Sequence, residues 1–308
     1  MTSIKIPKGS IELAGLLFAP SSIPSSPGIS VVIVHPGGGV KEQTAKVYAE
    51  ALSQPPNNYT TICYDASYQG ASGGEPHFLE DPSARVSDIS AVIDYLTSSV
   101  PHVDASKIGV VGICAGGGYA VAAAKGDYRI KSVCTVSMVN IGDSFRLGWE
   151  GKDSVLNHIS TLQTAADERA AKIKGAEPQY APYVPARYEE KTPYDLKQGS
   201  EYYLTPRGQH PNAQNKMLVS SFPLILTWDA FALADIFLKQ PVCCVFGSKA
   251  GSKWHSDRLD EILKLNAGKG VDRMVEVEEA THMDFYDREK FVGKAVEEVG
   301  AFMREMII

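Results

Sequence analysis

The chain has 308 residues and a formal net charge of −6, and its 30 Lys and Arg residues form no basic cluster. This pattern argues against a nucleic acid or an anionic membrane as a partner. Apolar residues make up 44% of the chain, as in soluble globular proteins, and no apolar run approaches the ~20 residues that span a bilayer. The first residues lack the apolar core of a secretory signal, so we expect a soluble, cytoplasmic protein.

Segments typical of strands and of helices alternate along most of the chain. The predicted strands cover residues 4–6, 11–19, 31–34, 60–64, 107–113, 131–137, 242–246 and 273–277. The predicted helices cover residues 41–53, 84–98, 115–125, 228–238, 254–265 and 287–306. Apolar strands separated by helices predict an α/β fold with a mostly parallel central sheet flanked by helices.

The alternation breaks between residues 139 and 222, where apolar runs are few and tyrosine and proline are frequent. This segment is too long for an ordinary loop. We therefore predict a core formed by residues 1–138 and 223–308, with residues 139–222 inserted as a cap. The aromatic residues of the cap, Trp149 among them, are expected to line an apolar substrate pocket.

One cysteine lies at the junction of a predicted strand and a predicted helix. Residues 112–116 read Gly-Ile-Cys-Ala-Gly, the Gly-x-nucleophile-x-Gly pattern of a nucleophile elbow. Small neighbours let backbone and substrate approach a nucleophile on a sharp turn, and the following helix N-terminus is expected to favour the thiolate of Cys114. The glycine spacing fits no nucleotide-binding fingerprint, so we expect no cofactor.

The other four cysteines lie inside apolar runs and are expected to be core side chains: Cys63, Cys134, Cys243 and Cys244. None of the five cysteines has the spacing of metal ligands. We therefore expect no metal site.

A second glycine-rich turn, His-Pro-Gly-Gly-Gly at residues 35–39, follows a buried predicted strand. Acyl transfer needs hydrogen-bond donors for an oxyanion. The backbone N–H of Gly37 or Gly38, together with that of Ala115, is suited to this role. His35 is expected to orient the turn beside the pocket.

Seven histidines compete as the base that takes the proton of Cys114. His282 follows the last predicted strand and precedes the final helix. This position places it at the carboxyl edge of the sheet, where Cys114 also lies. We predict His282 as the base, and His255, at a predicted helix start, is a second candidate.

The sequence does not identify a single residue as the third member of a catalytic triad. The usual place for the acid, after the strand at residues 242–246, holds no carboxylate. Asp143, which follows the strand at 131–137, is the preferred candidate, and Asp229, Asp257 and the amide of Asn140 are further candidates. A thiolate–imidazolium pair depends less on a third group than a Ser–His pair does.

In their order along the chain, these motifs resemble those of the α/β-hydrolase superfamily, in segments 35–39, 65–70, 112–118 and 280–284. The cysteine in the elbow resembles that of dienelactone hydrolases. Segments 228–231 and 251–256 resemble a branch of bacterial hydrolases and fungal polyketide transferases or thiohydrolases. The resemblance implies an α/β-hydrolase fold, Cys114 as nucleophile and His282 as base. Tyr68 and Trp228, in the matching segments, join His35 and Trp149 as predicted pocket residues.

The predicted function is covalent acyl transfer from an ester or thioester of a bulky, polyketide-like acyl group. Water as second nucleophile would make the protein a hydrolase, and an alcohol or amine would make it an acyltransferase. Three competing functions are a dienelactone or carboxylester hydrolase of catabolism, a lyase, isomerase or cyclase without a covalent intermediate, and a ligand-binding protein. The expected partner is a small-molecule substrate, free or bound to a carrier protein. The sequence does not decide between a monomer and a homodimer.

Overall fold

The computed structural model describes residues 1–20, 28–267 and 269–307. The strands are β1 (Thr2–Lys8), β2 (Ile11–Phe18), β3 (Gly28–Val34), β4 (Thr60–Tyr64), β5 (Val103–Ile113), β6 (Ile130–Val136), β7 (Tyr180–Ala181), β8 (Met217–Leu218), β9 (Val242–Gly247) and β10 (Arg273–Val277). The helices are α1 (Lys46–Ser53), α2 (Pro82–Ser99), α3 (Ala115–Gly126), α4 (Ile141–Leu147), α5 (Ile159–Ile173), α6 (Tyr194–Leu204), α7 (Phe222–Leu226), α8 (Ala234–Phe237), α9 (Trp254–Ala267), α10 (Asp284–Asp287) and α11 (Glu289–Met306).

Among the described residues, eight strands form one sheet in the order β1-β2-β4-β3-β5-β6-β9-β10. β1 and β2, which correspond to the first two predicted strands, form an antiparallel hairpin, and β2 pairs antiparallel with β4. From β4 to β10 the neighbouring strands are parallel. The predicted mostly parallel sheet flanked by helices is therefore confirmed.

Both faces of the sheet are covered by helices, which explains the continuous apolar run of β3. Successive side chains of a strand point to opposite faces. Val32 and Val34 pack in one hydrophobic cluster with side chains of α2 and α3. Val31 and Ile33 pack in a second cluster, with side chains of α1 and α11. The carboxyl ends of these parallel strands form the edge at which the predicted site residues emerge.

The helix predicted over residues 228–238 is shorter in the structure, where it covers only Ala234–Phe237. Leu233 has a φ of +59°, in the left-handed region, which ends any helix that precedes it. Asp229 Oδ1 also accepts a hydrogen bond from the Phe231 N–H at 2.9 Å. An aspartate that binds the backbone two residues ahead favours a turn over a helix.

Two other predicted helices are interrupted near their starts. The helix expected over residues 41–53 begins with a π-helical turn, Lys41–Ala45, in which Gln43 has non-helical backbone angles. The final helix, expected over 287–306, is divided into the short α10 and the long α11. The segment 139–222 contains α4, α5 and α6 and so has more helix than its sequence indicates. None of the described helices combines the length and apolarity needed to cross a membrane.

A buried ion pair joins the loops that follow β3 and β4. Asp65 is fully buried, and its Oδ1 accepts a hydrogen bond from the Lys41 backbone N–H at 2.7 Å. Its Oδ2 accepts hydrogen bonds from Lys41 Nζ and from the Ala71 N–H, both at 2.8 Å. These contacts fix the loop that carries the predicted oxyanion turn.

Removing this carboxylate should leave the Lys41 ammonium and two backbone N–H groups buried with fewer partners. We expect Asp65→Ala to lower the free energy of unfolding by about 3–5 kcal/mol in urea titrations, as for other broken buried pairs. Glu12→Ala is the matched control, because it removes an ion pair of two exposed side chains, Lys5 and Glu12. The control should cost ~1 kcal/mol or less. Equal losses in the two variants would contradict a structural role for Asp65.

Candidate active site

Cys114 lies where β5 ends and α3 begins, with φ +54° and ψ −124°. A positive φ is strained for a residue other than glycine. Three backbone hydrogen bonds hold the turn: the Cys114 N–H donates to Val136 O at 3.0 Å, and Cys114 O accepts from the N–H groups of Gly117 and Val139, both at 2.9 Å. The local geometry is therefore the strand–turn–helix junction that the sequence predicts.

The glycines on either side of this turn are required by close backbone packing. A Cβ on Gly112 would lie 2.2 Å from Gly116 O, and a Cβ on Gly116 would lie 2.2 Å from Val34 O. Neither contact could be relieved by rotating a side chain. The two glycines therefore allow α3 to begin directly against β3 and β5, which brings Cys114 to the sheet edge.

The Cys114 thiol is neutral at rest. Burial raises its pKa above the ordinary value, and hydrogen bonds from the Tyr286 hydroxyl and the backbone N–H groups of Ala115 and Gly37 lower it only in part. This raised pKa runs against the expectation that the helix N-terminus favours the thiolate, because the effect of burial outweighs that of the hydrogen bonds. For the sulfur to react as a nucleophile, a base would have to remove its proton.

Two of the three predicted oxyanion donors converge on the sulfur. These are the backbone N–H groups of Ala115 and Gly37, which hydrogen-bond to Cys114. Gly38 has a φ of +69° and lies against the ring of Tyr183, so that a Cβ there would be 2.5 Å from Tyr183 Cδ2. Gly38 thus gives the turn its shape, while Gly37 points a donor at the site.

His35 is buried beneath this turn. Its Nδ1 lies 2.7 Å from Pro36 O, and its Nε2 accepts a hydrogen bond from the Ala66 N–H at 3.1 Å. Arg85 Nη2 donates to His35 O at 2.8 Å. Burial and the charge of Arg85 lower the pKa of His35 well below its ordinary value, so the ring is neutral. His35 contributes to the position of the turn and is not among the residues that line the cavity.

His282 lies in the loop after β10, with its ring buried. Its Nδ1 is 2.7 Å from Ser252 Oγ, and its Nε2 is 3.2 Å from the Tyr286 hydroxyl. Asp195 Oδ1 accepts a hydrogen bond from the His282 backbone N–H at 3.2 Å, and the Trp149 ring packs edge-on with centroids 4.9 Å apart. Burial lowers the pKa of His282 to about 4, although Asp195 raises it in part. The imidazole is therefore neutral at pH 7.

Two residues that sequence reasoning missed hold this histidine. Ser252 follows β9, the usual position of a triad acid, and supplies a hydroxyl to Nδ1 in place of a carboxylate. Asp195, in the first turn of α6, also accepts hydrogen bonds from Trp149 Nε1 at 2.9 Å and from the Gly251 N–H at 2.7 Å. A carboxylate in a first helical turn carries no sequence signal that separates this role from simple helix stabilisation.

The preferred acid candidate, Asp143, lies in a different network. Its carboxylate accepts a hydrogen bond from Asn140 Nδ2 at 2.8 Å and pairs with Arg146 at 2.6 Å and with Arg258. Within the part of the chain that the structure describes, no hydrogen bond joins Asp143 or Asn140 to His282. The guanidinium groups of Arg146 and Arg258 hold the Asp143 carboxylate in this network, away from the His282 imidazole.

Asp229, Asp257 and His255 are the remaining candidates that the sequence offers for the acid or the base. Asp229 belongs to the same network as Asp143, and Asp257 lies in the first turn of α9. His255 is buried and stacks on Trp254 with ring centroids 3.7 Å apart. Burial and the neighbouring His282 lower the pKa of His255 to about 3. Over residues 1–20, 28–267 and 269–307, no hydrogen bond links these three side chains to Cys114.

A cavity of about 310 Å³ opens beside Cys114 and His282. Its mainly apolar wall comes largely from the segment 139–222, including Phe145, Trp149, Tyr183, Val184, Leu196 and Tyr203. Of the predicted pocket residues, Trp149 lines this cavity, whereas Tyr68 lies in the loop after β4 and Trp228 packs on α3. No group of three or more His, Cys, Asp or Glu side chains in the described ranges is arranged to hold a metal ion.

The low pKa of His282 makes stability depend on pH. Folding lowers this pKa from 6.5 to about 4, so across that window the unfolded chain binds a proton at His282 that the folded protein does not. We expect the free energy of unfolding, from urea titrations, to fall as the pH drops from 7 to 4.5. His282→Asn should reduce this dependence, and His102→Asn, at an exposed position, should not. An identical dependence in both variants would contradict a neutral buried imidazole.

A carboxylate at position 252 should restore the missing charge beside the imidazole. In Ser252→Asp, an anion near Nδ1 favours the charged ring and should raise the pKa of His282 above about 4, as measured by NMR titration of the imidazole. Ser252→Ala is the control, because it removes the hydroxyl without adding charge. A pKa no higher in Ser252→Asp than in Ser252→Ala would show that residue 252 does not act on the ring.

Known proteins share this fold over nearly the whole chain. Residues 31–294 match the alpha/beta hydrolase family. The Escherichia coli K12 protein YcjY is 44% identical over 278 residues, which cover 90% of this chain and 89% of that protein. Polyketide transferase claH of Penicillium crustosum is 27% identical over 223 residues, which cover 71% of this chain and 70% of that protein.

A solved structure agrees with these sequence matches. The crystal structure of hypothetical protein PA2218 from Pseudomonas aeruginosa has a TM-score of 0.88 and 26% identity, and covers 99% of this chain and 93% of that chain. The parallel sheet, the strained turn between β5 and α3 and the family match over residues 31–294 agree with one another. The chain belongs to the alpha/beta hydrolase family.

Proposed function

We propose that this protein transfers acyl groups through a covalent acyl-Cys114 intermediate, as a thioesterase-type hydrolase or an acyltransferase. The supporting observation is the position of the Cys114 sulfur at the cavity wall, facing the converging backbone N–H groups of Ala115 and Gly37. A carbonyl carbon in contact with that sulfur would have its oxygen near the two donors. Preorganised donors of this kind are typical of acyl-transfer sites.

The first half of the reaction acylates the enzyme. Because the thiol and the imidazole are both neutral at pH 7, the Cys114 proton leaves as the carbon–sulfur bond forms. The carbonyl electron pair moves to oxygen, and the proton ends on His282. The two backbone donors stabilise the oxyanion, by about 3 kcal/mol of barrier for each donor. Collapse of this intermediate expels the leaving group, which takes the proton from His282.

The second half passes the acyl group to an acceptor that His282 deprotonates. Water as acceptor gives hydrolysis, and an alcohol or amine gives transfer. Exchange of an acyl group between two thiols is close to thermoneutral, so a thioester is a well-matched donor for Cys114. The relative named polyketide transferase supports a polyketide acyl group as the cargo.

The cavity favours a neutral, apolar acyl group. Its volume of about 310 Å³ lies at the lower end of the range for small-molecule sites. Aromatic rings of Phe145, Trp149 and Tyr183 form part of the wall. Asp195 is a carboxylate in this wall, but three N–H donors already occupy its oxygens. Apolar contact and ring stacking therefore dominate what the wall offers a substrate.

The covalent intermediate can be observed directly. After mixing with a panel of short acyl thioesters and aryl esters, intact-protein mass spectrometry should show an acyl mass gain that maps to Cys114. Cys114→Ala should gain no mass. Cys134→Ala, which changes a fully buried cysteine of β6, is the matched control and should still be acylated. A chase with water or an added alcohol then identifies the acceptor.

The same measurements separate acyl transfer from the competing functions. Turnover by Cys114→Ala at the wild-type rate would contradict the covalent route and favour a lyase, isomerase or cyclase that uses His282 alone. Neither adduct nor turnover with any donor in the panel would favour ligand binding. A wild-type adduct that water releases only slowly, and an alcohol or amine quickly, would identify an acyltransferase.

A further inference from the structure

One carboxylate is buried close to both the segment 139–222 and the turn at residues 35–39. It belongs to Glu80, in the loop before α2, which is fully buried. Its Oε1 accepts a hydrogen bond from the Tyr119 hydroxyl at 2.6 Å, and its Oε2 accepts one from the Tyr183 hydroxyl at 2.7 Å. Burial raises the pKa of both phenols well above the ordinary value, so each has a proton to donate. The carboxylate therefore joins α3 to the segment 139–222.

The buried guanidinium of Arg85 balances the charge of this carboxylate. Arg85 Nε lies 3.4 Å from Glu80 Oε1. Burial lowers the pKa of Arg85, and the charge of Glu80 leads the effects that raise it above the ordinary value, so the guanidinium stays protonated. Its Nη2 donates hydrogen bonds to His35 O at 2.8 Å and to Pro36 O at 3.4 Å. Glu80 thus holds the guanidinium that holds two carbonyl groups of the turn.

The peptide group between Pro36 and Gly37 connects this ion pair to the cavity. Besides the bond from Arg85, Pro36 O accepts hydrogen bonds from His35 Nδ1 at 2.7 Å and from the Gly39 N–H at 3.3 Å. The C=O and N–H of a trans peptide group point in opposite directions within one plane. Fixing the Pro36 carbonyl therefore also fixes the direction of the N–H of Gly37, which lines the cavity.

The ring of Tyr183 contacts the same turn. A Cβ on Gly37 would lie 3.5 Å from Tyr183 Cε1, and a Cβ on Gly38 would lie 2.5 Å from Tyr183 Cδ2, so the ring lies directly against both glycines. The hydrogen bond from the Tyr183 hydroxyl to Glu80 fixes the outer end of this ring. Hydrogen bonds to a charged acceptor are stronger than those between neutral groups. One carboxylate thus holds both the ring and the guanidinium that contact the turn.

We propose that Glu80 is a positioning residue that fixes the Gly37 N–H through Arg85 and Tyr183, and the catalytic value of that N–H rests on the proposed function. Glu80 is not among the described residues that line the cavity, so it acts through these two side chains and not on the substrate. Loss of its contacts should let the turn move. A displacement of about 1 Å at a reacting centre can lower a rate by about 100-fold.

Two tyrosine variants separate this role from a general contribution to packing. Tyr183→Phe and Tyr119→Phe each keep the ring and remove one hydrogen bond to Glu80, but the Tyr183 ring lies on the turn and the Tyr119 ring packs on Trp228. Exchange of the Gly39 amide, measured by NMR, reports opening of the turn because this N–H donates the hydrogen bond that closes it. We expect exchange about 10-fold faster in Tyr183→Phe and within about 2-fold of wild type in Tyr119→Phe. Equal rates in the two variants would overturn the proposal.

Glu80→Gln tests the connection through Arg85. The amide keeps the size of the side chain and loses the charge that faces the guanidinium, so exchange of the Gly39 amide should be at least about 10-fold faster than in wild type. Glu12→Gln is the matched control at an exposed glutamate and should exchange at the wild-type rate. Wild-type exchange in folded Glu80→Gln would overturn the proposal. If this variant does not fold, the two tyrosine variants still decide.

Turnover kinetics measure the effect of the turn on chemistry. With a thioester that wild type turns over, Tyr183→Phe should lower kcat by about 10- to 100-fold and change KM by less than about 2-fold, because it displaces a donor and keeps the aromatic wall. A raised KM at unchanged kcat would contradict positioning of the donor. Amide exchange needs no substrate, so failure of the proposed function, shown by a fully active Cys114→Ala, remains distinguishable from failure of the Glu80 proposal.

Discussion

The strained backbone at Cys114 is the constraint on which the site depends. A residue held at φ +54° costs on the order of 1–3 kcal/mol, and hydrogen bonds to Val136 and Val139 hold it there. The backbone position of Cys114 at the sheet edge is therefore set by its contacts with the sheet. Because the sheet is buried on both faces, its hydrophobic packing offsets the free-energy cost of the strained turn. The same rigidity holds the backbone N–H groups of Ala115 and Gly37 toward Cys114.

Burial then determines the protonation state of the site. The Cys114 thiol, the His282 imidazole and the Tyr286 phenol are all neutral at rest because burial disfavours each charged form. A hydroxyl from Ser252 at Nδ1 is consistent with this state, since an aspartate there would favour imidazolium. Under the proposed function, charge would appear only when a substrate carbonyl accepts electrons, in reach of donors that are already fixed.

Local patterns predicted most of the fold and the positions of Cys114 and His282 at the carboxyl edge of the sheet. Continuous apolar runs identified the strands of the sheet, and the spacing of glycines around Cys114 identified the elbow because backbone packing there tolerates no Cβ. The α8 helix was overestimated because the positive φ of Leu233 has no composition signal. Tyr286, four residues after His282 and one helical turn away, could have been found from that spacing. Asp195 could not, because its role arises from contacts between distant segments.

Asp195 connects the segment 139–222 to two loops at the carboxyl edge of the sheet. Its carboxylate binds Trp149 within that segment, Gly251 after β9 and His282 after β10. The helix α6, which carries Asp195, therefore joins the cavity wall to the backbone of His282. Moving α6 away from the sheet would break two hydrogen bonds to the loops that position the imidazole, and would expose a buried carboxylate. Cavity shape and imidazole position are thus coupled through Asp195. Under the proposed function, a substrate that packs against Trp149 would also stabilise the position from which His282 accepts a proton.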